Sequence, residues 1–309
     1  MINGIHHITA MCSDPQRNVD FYSKQLGLRL VKVNVNMDDP GTYHFYFGDR
    51  VGSPGSALTF FPWPDYAKGV VGSGQVAATA FSVPRGSLEF WKHRLPEADR
   101  FERFGDLGIA FRDPDGLPFE LIESDDSREP WSGGEILSDQ AVRGFHSATL
   151  WSRNPEATAK LLTGLMDFHE TGAEVGRTRF SAGDGKPHQI IDIGDASRRP
   201  IGRTGAGSNH HIAFRVKDDV AQAEAVEKLR SAGLGVTEVQ ERFYFRSVYF
   251  REPGHILFEI ATDLPGFTAD EPVERLGERL CLPPWFEARR NDIERVLPRF
   301  TTPTGVVIP

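Results

Sequence analysis

The feature that most constrains this chain is a short histidine-rich motif that occurs twice. Ile5-His6-His7-Ile8-Thr9-Ala10, near the start, has the same form as His210-His211-Ile212-Ala213, much later in the chain. Each motif predicts a short strand, because apolar residues flank the histidines and side chains alternate between the two faces of a strand. A double histidine followed by isoleucine, found twice, favours a shared chemical role over two unrelated core histidines.

An acidic residue on a later apolar strand extends this pattern. Phe258-Glu259-Ile260 places one carboxylate between two apolar neighbours, just after the turn predicted at Pro253-Gly254. Burying a carboxylate on such a strand is costly unless a cation neutralises it. His7, His211 and Glu259 therefore form a candidate facial triad, the ligand set of non-haem Fe(II) oxygenases, which leaves positions open for substrate and O₂.

Four similar units follow one another along the chain, each predicted as a strand, a helix and further strands. The opening strands are predicted at residues 5–10, 76–83, 145–150 and 209–216. A helix start is predicted at Ser13-Asp14-Pro15, with Ser13 or Asp14 as the N-cap, and another at Asn154-Pro155. Further helices are predicted at residues 86–95 and 218–232. The polar stretch 124–143, rich in Ser, Asp and Gly, predicts a connector between two halves.

The two halves look like a duplication, which raises a competing ligand. His146 follows His7 by the same interval as Glu259 follows Glu120, so His146 is predicted to take the place of His7 in the third unit. A triad of His146, His211 and Glu259 therefore stays open, although the double-histidine form favours His7. Matching the second unit to the fourth puts alanine where His211 lies, so Glu120 is predicted to be salt-bridged or partly exposed.

Composition excludes several classes of protein. The chain of 309 residues carries a net charge of −8, which argues against nucleic acid or an anionic membrane as a partner. Two cysteines cannot form a disulfide framework or a cysteine-based metal knuckle. We find no apolar run near the ~18 residues that a spanning helix needs and no signal peptide, so a cytoplasmic location is expected.

Taken together, these motifs resemble the vicinal oxygen chelate superfamily, which includes glyoxalase I, extradiol ring-cleaving dioxygenases and fosfomycin-resistance enzymes. Within that superfamily the chain is most similar to the hydroquinone-cleaving branch. The resemblance covers about residues 4–262 and a recognisable tail. The residues that carry it are His6-His7-Ile8-Thr9, Tyr43-His44-Phe45-Tyr46-Phe47, Gly52-Ser53-Pro54-Gly55, Arg143-Gly144-Phe145-His146-Ser147, His210-His211 and Gly266-Phe267-Thr268-Ala269-Asp270-Glu271.

The resemblance implies an α+β fold of four βαβββ modules, which form two vicinal-oxygen-chelate domains with cupped mixed sheets. The predicted segments are an N-terminal domain at 1–130 (modules 1 and 2), a linker at 131–144, a C-terminal domain at 145–265 (modules 3 and 4) and a tail at 266–309. It further implies that Fe(II), or alternatively Mn(II) or Zn(II), binds to His7, His211 and Glu259. The residues that match positions around the metal, and that are expected to serve catalysis, are His6, Thr9, His210, Arg242 and Tyr249.

The residues themselves leave the roles of these neighbours open. Tyr249 and Arg242 would bind a substrate hydroxyl and stabilise a phenolate, or they are an ordinary strand tyrosine and a surface arginine. Strict alternation points His6 and His210 away from the face that carries the ligands, so they either orient the ligands or pack outside the site. His44 is predicted to be structural.

The expected function is an Fe(II)-dependent ring cleavage of a small hydroquinone-type or related phenolic aromatic by O₂. Two alternatives remain. One is a glyoxalase-like metal-dependent isomerase, lyase or thiol transferase. The other is a non-catalytic protein that binds quinones or aromatic drugs and confers resistance. A homo-oligomer is compatible with the resemblance.

Overall fold

All four predicted modules form, and each consists of a strand, a helix and three further strands. The computed structural model describes residues 2–174 and 176–309. Its strands are β1 (Ile5–Cys12), β2 (Arg29–Val35), β3 (Tyr43–Gly48), β4 (Ala57–Pro62), β5 (Gln75–Val83), β6 (Asp99–Arg103), β7 (Asp106–Arg112), β8 (Pro118–Glu123), β9 (Gly144–Ser152), β10 (Phe168–Glu174), β11 (Arg177–Ala182), β12 (Ile190–Asp195), β13 (Ser208–Val216), β14 (Gln240–Glu241), β15 (Arg246–Arg251), β16 (Leu257–Thr262), β17 (Phe300–Thr301) and β18 (Val307–Ile308). Its α-helices are α1 (Pro15–Asp20), which continues as a π-helical turn, α2 (Leu88–Arg94), α3 (Pro155–Leu165), α4 (Asp219–Ser231), α5 (Pro284–Glu287) and α6 (Arg290–Val296).

The helices begin where the sequence places their capping residues. Asp14 accepts a hydrogen bond from the backbone N–H of Arg17 at 2.7 Å, with proline at the first turn of α1. Asp218 does the same for α4, at 3.0 Å from the nitrogen of Ala221. These local signals fix the helix starts independently of the sheets, which is why the modules are predictable one at a time.

Sixteen of the strands assemble into two curled mixed sheets of eight strands each, as expected for the α+β vicinal-oxygen-chelate fold, and β17 pairs with β18 in a small sheet of the tail. The first sheet has the order β14-β15-β16-β13-β1-β4-β3-β2, and the second has the order β10-β11-β12-β9-β5-β8-β7-β6. Module 1 therefore pairs with module 4 through β1 and β13, and module 2 pairs with module 3 through β5 and β9. The predicted segments 1–130, 131–144, 145–265 and 266–309 group modules by chain position and stay a prediction, since each sheet draws on both halves.

Four strands were missed by the sequence patterns, namely β6 and β10 of the second sheet and the two-residue strands β17 and β18 of the tail. In β6, Asp99–Arg103, every residue is at least partly exposed, and in β10, Phe168–Glu174, only the first residue is buried. Both lie at an outer edge of the second sheet. An edge strand with a solvated surface does not need the apolar alternation by which a strand is recognised, so its sequence looks like a loop.

The C-terminal tail packs into the open side of the first sheet. The backbone N–H of Cys281 donates to the carbonyl of Val33 on β2 at 2.9 Å, and Phe267 packs against Tyr46 of β3 with ring centroids 4.8 Å apart. The tail thereby covers the edge strand β2 and supports Tyr46, which lines the cavity described below. Within the described part of the chain, no helix is long and apolar enough to span a bilayer.

Candidate metal centre

Two β-bulges place the double histidines at the centre of the first sheet. Where β1 and β13 pair, Ile5 lies opposite Phe214 and His7 opposite Ala213, so His6 is an extra residue in β1. Farther along the same pair, His210 is the extra residue in β13. Because a bulge re-aims the inserted side chain, strict alternation fails at these two positions.

The prediction that alternation turns His6 and His210 to the opposite face is therefore wrong. The ring of His6 lies against that of His7, with the two Nδ1 atoms 2.9 Å apart, and the Nδ1 atoms of His210 and His211 are 2.7 Å apart. One nitrogen of each pair donates a hydrogen bond to the other. This contact leaves Nε2 of His7 and His211 directed to the same point.

That point is occupied by a carboxylate oxygen of Glu259. Glu259 Oε2 lies 3.3 Å from His7 Nε2 and 2.9 Å from His211 Nε2, and the two Nε2 atoms are 3.3 Å apart. All three residues are buried, and Glu259 has no exposed surface. The triad predicted from sequence is thus brought together from modules 1 and 4.

The triad has the dimensions of one face of a metal coordination sphere. With metal–ligand bonds of about 2.1 Å, neighbouring ligands in an octahedron lie roughly 3.0 Å apart, which matches the three distances. Although both imidazoles are close, Glu259 Oε2 has no donor with hydrogen-bond geometry among the described residues. A buried, unpaired carboxylate oxygen beside two imidazole nitrogens fits a divalent cation.

A serine that the sequence reading overlooked holds the other carboxylate oxygen. Ser247 on β15 donates its hydroxyl hydrogen bond to Glu259 Oε1, which leaves Oε2 for the metal. Such a contact orients a ligand before the metal arrives. The signal in the sequence was its spacing, because Ser247 lies two residues before Tyr249 and so on the same face of the strand.

The electrostatics of the triad favour a charged carboxylate at Glu259 and a neutral imidazole at His211. Burial opposes ionisation of Glu259, but His7 and His211 outweigh it and hold the pKa of this carboxyl well below its usual value. Burial lowers the pKa of His211, although Glu259 opposes the shift. Burial and then His7 lower the pKa of His6 to about 3. Metal binding requires this protonation state of the ligands.

The triad opens into a cavity of about 470 Å³ lined largely by rings. Phe245 packs on His7 with centroids 5.0 Å apart, and Phe61 lies 5.9 Å from the ring of His210. Trp63 lies next to Phe61, 5.5 Å away. This size and lining suit a small aromatic molecule.

Tyr249 and Arg242 lie together in the cavity wall beside the triad. Arg242 Nε donates to the Tyr249 hydroxyl at 3.1 Å, and its two terminal nitrogens bind Asp38 at 3.2 and 3.0 Å. Tyr249 pairs with Glu259 across β15 and β16. Burial, followed by Glu259, raises the pKa of Tyr249, so it stays a hydrogen-bonding phenol. Both residues line the same cavity as the triad, and their catalytic roles stay a prediction.

The remaining predicted residues differ in their access to the cavity. His210 is exposed and lines it, whereas His6 is 3% exposed and lies behind His7. Thr9 is fully buried, and its hydroxyl lies 2.8 Å from that of Thr59. His44, predicted to be structural, lines the cavity instead.

The competing ligand His146 lies in the second sheet, away from the triad. There Phe145 pairs with Phe81 and Ser147 with Ala80, so His146 is the bulged residue, as His6 is in β1. Its Nδ1 contacts the hydroxyl of Ser147 at 3.1 Å. The prediction that His146 takes the place of His7 is wrong by one residue, since Ser147 takes that place.

Comparison with known proteins agrees with this architecture. The model of the Glyoxalase/Bleomycin resistance protein/Dioxygenase superfamily matches residues 4–121 and 144–260. "Putative ring-cleaving dioxygenase MhqO" of Bacillus subtilis (strain 168) is 48% identical over 302 residues, which cover 95% of each chain. The chlorohydroquinone/hydroquinone 1,2-dioxygenase of Sphingobium indicum is 34% identical over 311 residues, 96% of each chain.

A solved structure extends this agreement to three dimensions. The crystal structure of a "putative dioxygenase" from Bacillus subtilis subsp. subtilis str. 168 superposes with a TM-score of 0.93 at 46% identity and covers 97% of each chain. The match therefore includes both sheets and the tail. The chain belongs to the glyoxalase, bleomycin resistance protein and dioxygenase superfamily.

Proposed function

We propose that the protein is an Fe(II)-dependent dioxygenase that cleaves the ring of a hydroquinone-type or related phenolic aromatic. The observation that carries the proposal is the joint position of His7, His211 and Glu259 at a cavity with aromatic walls. Two imidazoles and one carboxylate leave coordination positions open for substrate and O₂. The names of the relatives point to the same reaction class.

The metal supplies what side chains cannot, since Fe(II) bound to the triad would bring a phenolate and O₂ together and pass electrons between them. Mn(II) and Zn(II) are the alternative metals, and Zn(II) would not support this redox chemistry. Metal identity is therefore part of the proposal.

The protein's own groups would position the substrate and stabilise its charge. Arg242 carries a fixed positive charge beside the metal centre and would favour a phenolate over a phenol. The Tyr249 hydroxyl, held by Arg242, would hydrogen-bond an oxygen at the triad. His6 and His210 would keep the ligand rings in one orientation through their Nδ1 contacts. The exposed His210 would also exchange protons with solvent.

Oxygen uptake tests the proposal directly. Protein reconstituted anaerobically with Fe(II) is mixed with oxygenated buffer and a substituted hydroquinone, with catechol in parallel, while O₂ and the ultraviolet spectrum are followed. We expect O₂ consumption and the spectrum of an opened ring with the hydroquinone. Glu259→Gln, which keeps the side chain's shape but removes its charge, should abolish both.

The other outcomes of this experiment would favour one of the alternative functions. Uptake with catechol alone would overturn the hydroquinone assignment and require a substrate that binds the metal through two adjacent oxygens. No uptake with either compound, despite stoichiometric iron, would overturn ring cleavage and favour an isomerase, lyase or thiol transferase. Tight binding of aromatics that survives Glu259→Gln would favour a non-catalytic binder.

A further inference from the structure

Four side chains form a hydrogen-bonded chain that runs from the cavity into the first sheet. The Tyr46 hydroxyl lies 2.7 Å from His44 Nδ1, and His44 Nε2 lies 2.9 Å from the hydroxyl of Thr59. The Thr59 hydroxyl in turn lies 2.8 Å from that of Thr9. His44 and Tyr46 line the same cavity as His7 and His211, and none of the four residues is more than 8% exposed.

This chain has one hydrogen atom more than its own bonds need. Tyr46, Thr59 and Thr9 contribute one O–H each, and a neutral imidazole at His44 contributes one N–H, whereas three hydrogen bonds use only three. Burial lowers the pKa of His44 well below its usual value and keeps the ring neutral. Because all four groups can reverse their direction together, the Tyr46 hydroxyl can either donate to a cavity ligand or accept from it.

The hydrogen-bonded chain reaches the cavity from a different strand than the triad does. His44 and Tyr46 are on β3, which is separated from β1 by β4. With strands about 4.8 Å apart, β3 lies roughly 10 Å from the strand that carries His7. For a ring with one oxygen at the triad, the para position lies farthest from the metal and can reach β3, whereas an ortho oxygen stays beside the triad.

Arg242 and Tyr249 form a second polar group in the cavity wall. Tyr249 adjoins the carboxylate, since it pairs with Glu259, and Arg242 reaches across the cavity to Asp38 in the loop before β3. These two residues therefore meet a ligand near its metal-bound oxygen. Tyr46 and His44 meet it at the other end.

We propose that Tyr46 and His44 bind the hydroxyl para to the oxygen held at the triad, so that the site selects 1,4-dihydroxy arenes over monophenols. This rests on the proposed function for the aromatic class of the ligand, but it does not require ring cleavage. A monophenol would leave the buried Tyr46 hydroxyl without the partner that a diol supplies, and sites built for a hydroxyl discriminate against ligands that lack it.

Binding without turnover tests this assignment. Zn(II)-loaded protein is titrated by calorimetry under nitrogen with hydroquinone, phenol and 4-methoxyphenol. We expect the wild type to bind hydroquinone about tenfold more tightly than phenol, with 4-methoxyphenol in between because its ether oxygen can only accept. Tyr46→Phe should bring the hydroquinone-to-phenol ratio close to one, and His44→Phe should lower it as well, because it removes the ring that holds the Tyr46 hydroxyl in position.

The matched control is Tyr244→Phe, which removes another buried hydroxyl. Tyr244 donates to Asp270 in the tail at 3.0 Å, so this variant should keep the wild-type ratio. Circular dichroism and zinc stoichiometry establish that each variant is folded and loaded. A wild-type ratio near one, or an unchanged ratio in both Tyr46→Phe and His44→Phe, would overturn the proposal.

The dioxygenase proposal and the para-hydroxyl subsite can be refuted independently of each other. A wild-type protein that discriminates hydroquinone from phenol but takes up no O₂ with Fe(II) would refute the dioxygenase and leave the para-hydroxyl subsite in place. A protein that cleaves hydroquinone with an unchanged ratio in Tyr46→Phe and His44→Phe would refute the subsite and leave the dioxygenase in place.

Discussion

Replacing Lys32 by methionine tests how strongly the C-terminal tail is held against the first sheet. Lys32 lies on β2 opposite Tyr46 and has no exposed surface. Its ammonium nitrogen is 2.7 Å from Asp270 Oδ1 and 2.5 Å from Glu271 Oε2. These two ion pairs join the tail to β2, so their loss should lower the free energy of unfolding.

The expected loss in the free energy of unfolding depends on the hydrogen-bond partners that Asp270 and Glu271 retain. Breaking a buried ion pair by removing one partner costs about 3–5 kcal/mol, because the other charge stays buried without compensation. Here Asp270 keeps the Tyr244 hydroxyl at 3.0 Å, and Glu271 keeps Arg279 Nε at 3.2 Å. Methionine also fills most of the space of the lysine stem. We therefore expect a loss near the lower limit, about 3 kcal/mol.

Urea unfolding of the purified variants measures this loss. Lys24→Met is the matched control, since Lys24 is 68% exposed and pairs with Asp20 at 2.8 Å, and its removal should change the free energy of unfolding by less than about 1 kcal/mol. Adding Glu271→Gln to Lys32→Met should recover part of the loss by removing the uncompensated charge. Equal effects of Lys32→Met and Lys24→Met would refute the reasoning.

The metal centre and the buried histidine of the second sheet give three further expectations. His7→Ala should abolish Zn(II) binding in calorimetry, whereas His146→Ala should preserve it; the reverse result would move the site. Ser247→Ala should weaken Zn(II) binding about 10–100-fold by freeing Glu259 to rotate, and an unchanged affinity would contradict that orienting role. Burial lowers the pKa of His146 to about 4, so the unfolded chain binds more protons between pH 6.5 and 4. About 3 kcal/mol of stability should therefore be lost as the pH falls through this window, and His146→Gln should flatten urea-derived stability there; an unchanged slope would contradict it.

The composition of the triad was predictable because it depends on residue types and on local patterns. A carboxylate between Phe258 and Ile260 and two histidine pairs before isoleucine are visible in the chain itself. The helix starts at Asp14 and Asp218 are equally local. What these signals share is that no partner strand is needed to recognise them.

The directions of the side chains were not predictable, because they depend on pairing. The bulges at His6 and His210 exist only where β1 meets β13, and they overturn the alternation that a single strand implies. The same limit explains the shift of one residue at His146, since only the pairing of β5 with β9 shows that Ser147 takes the place of His7. The role of Tyr46 and His44 likewise depends on contacts between strands.

The second sheet explains why the duplicated scaffold does not repeat the candidate triad among the described residues. At the places of His7 and His211 it has Ser147 and Ala78, and only Glu120 repeats a ligand. The guanidinium of Arg103 binds Glu120 through two nitrogens, one of them 3.0 Å from Oε1. An arginine carries its charge permanently and makes a planar, two-point contact with a carboxylate, so it neutralises Glu120 without any bound ion. The requirement that a buried carboxylate be compensated would thus be met by imidazoles and the proposed metal in one sheet and is met by an arginine in the other, and only the first solution would leave open positions for chemistry.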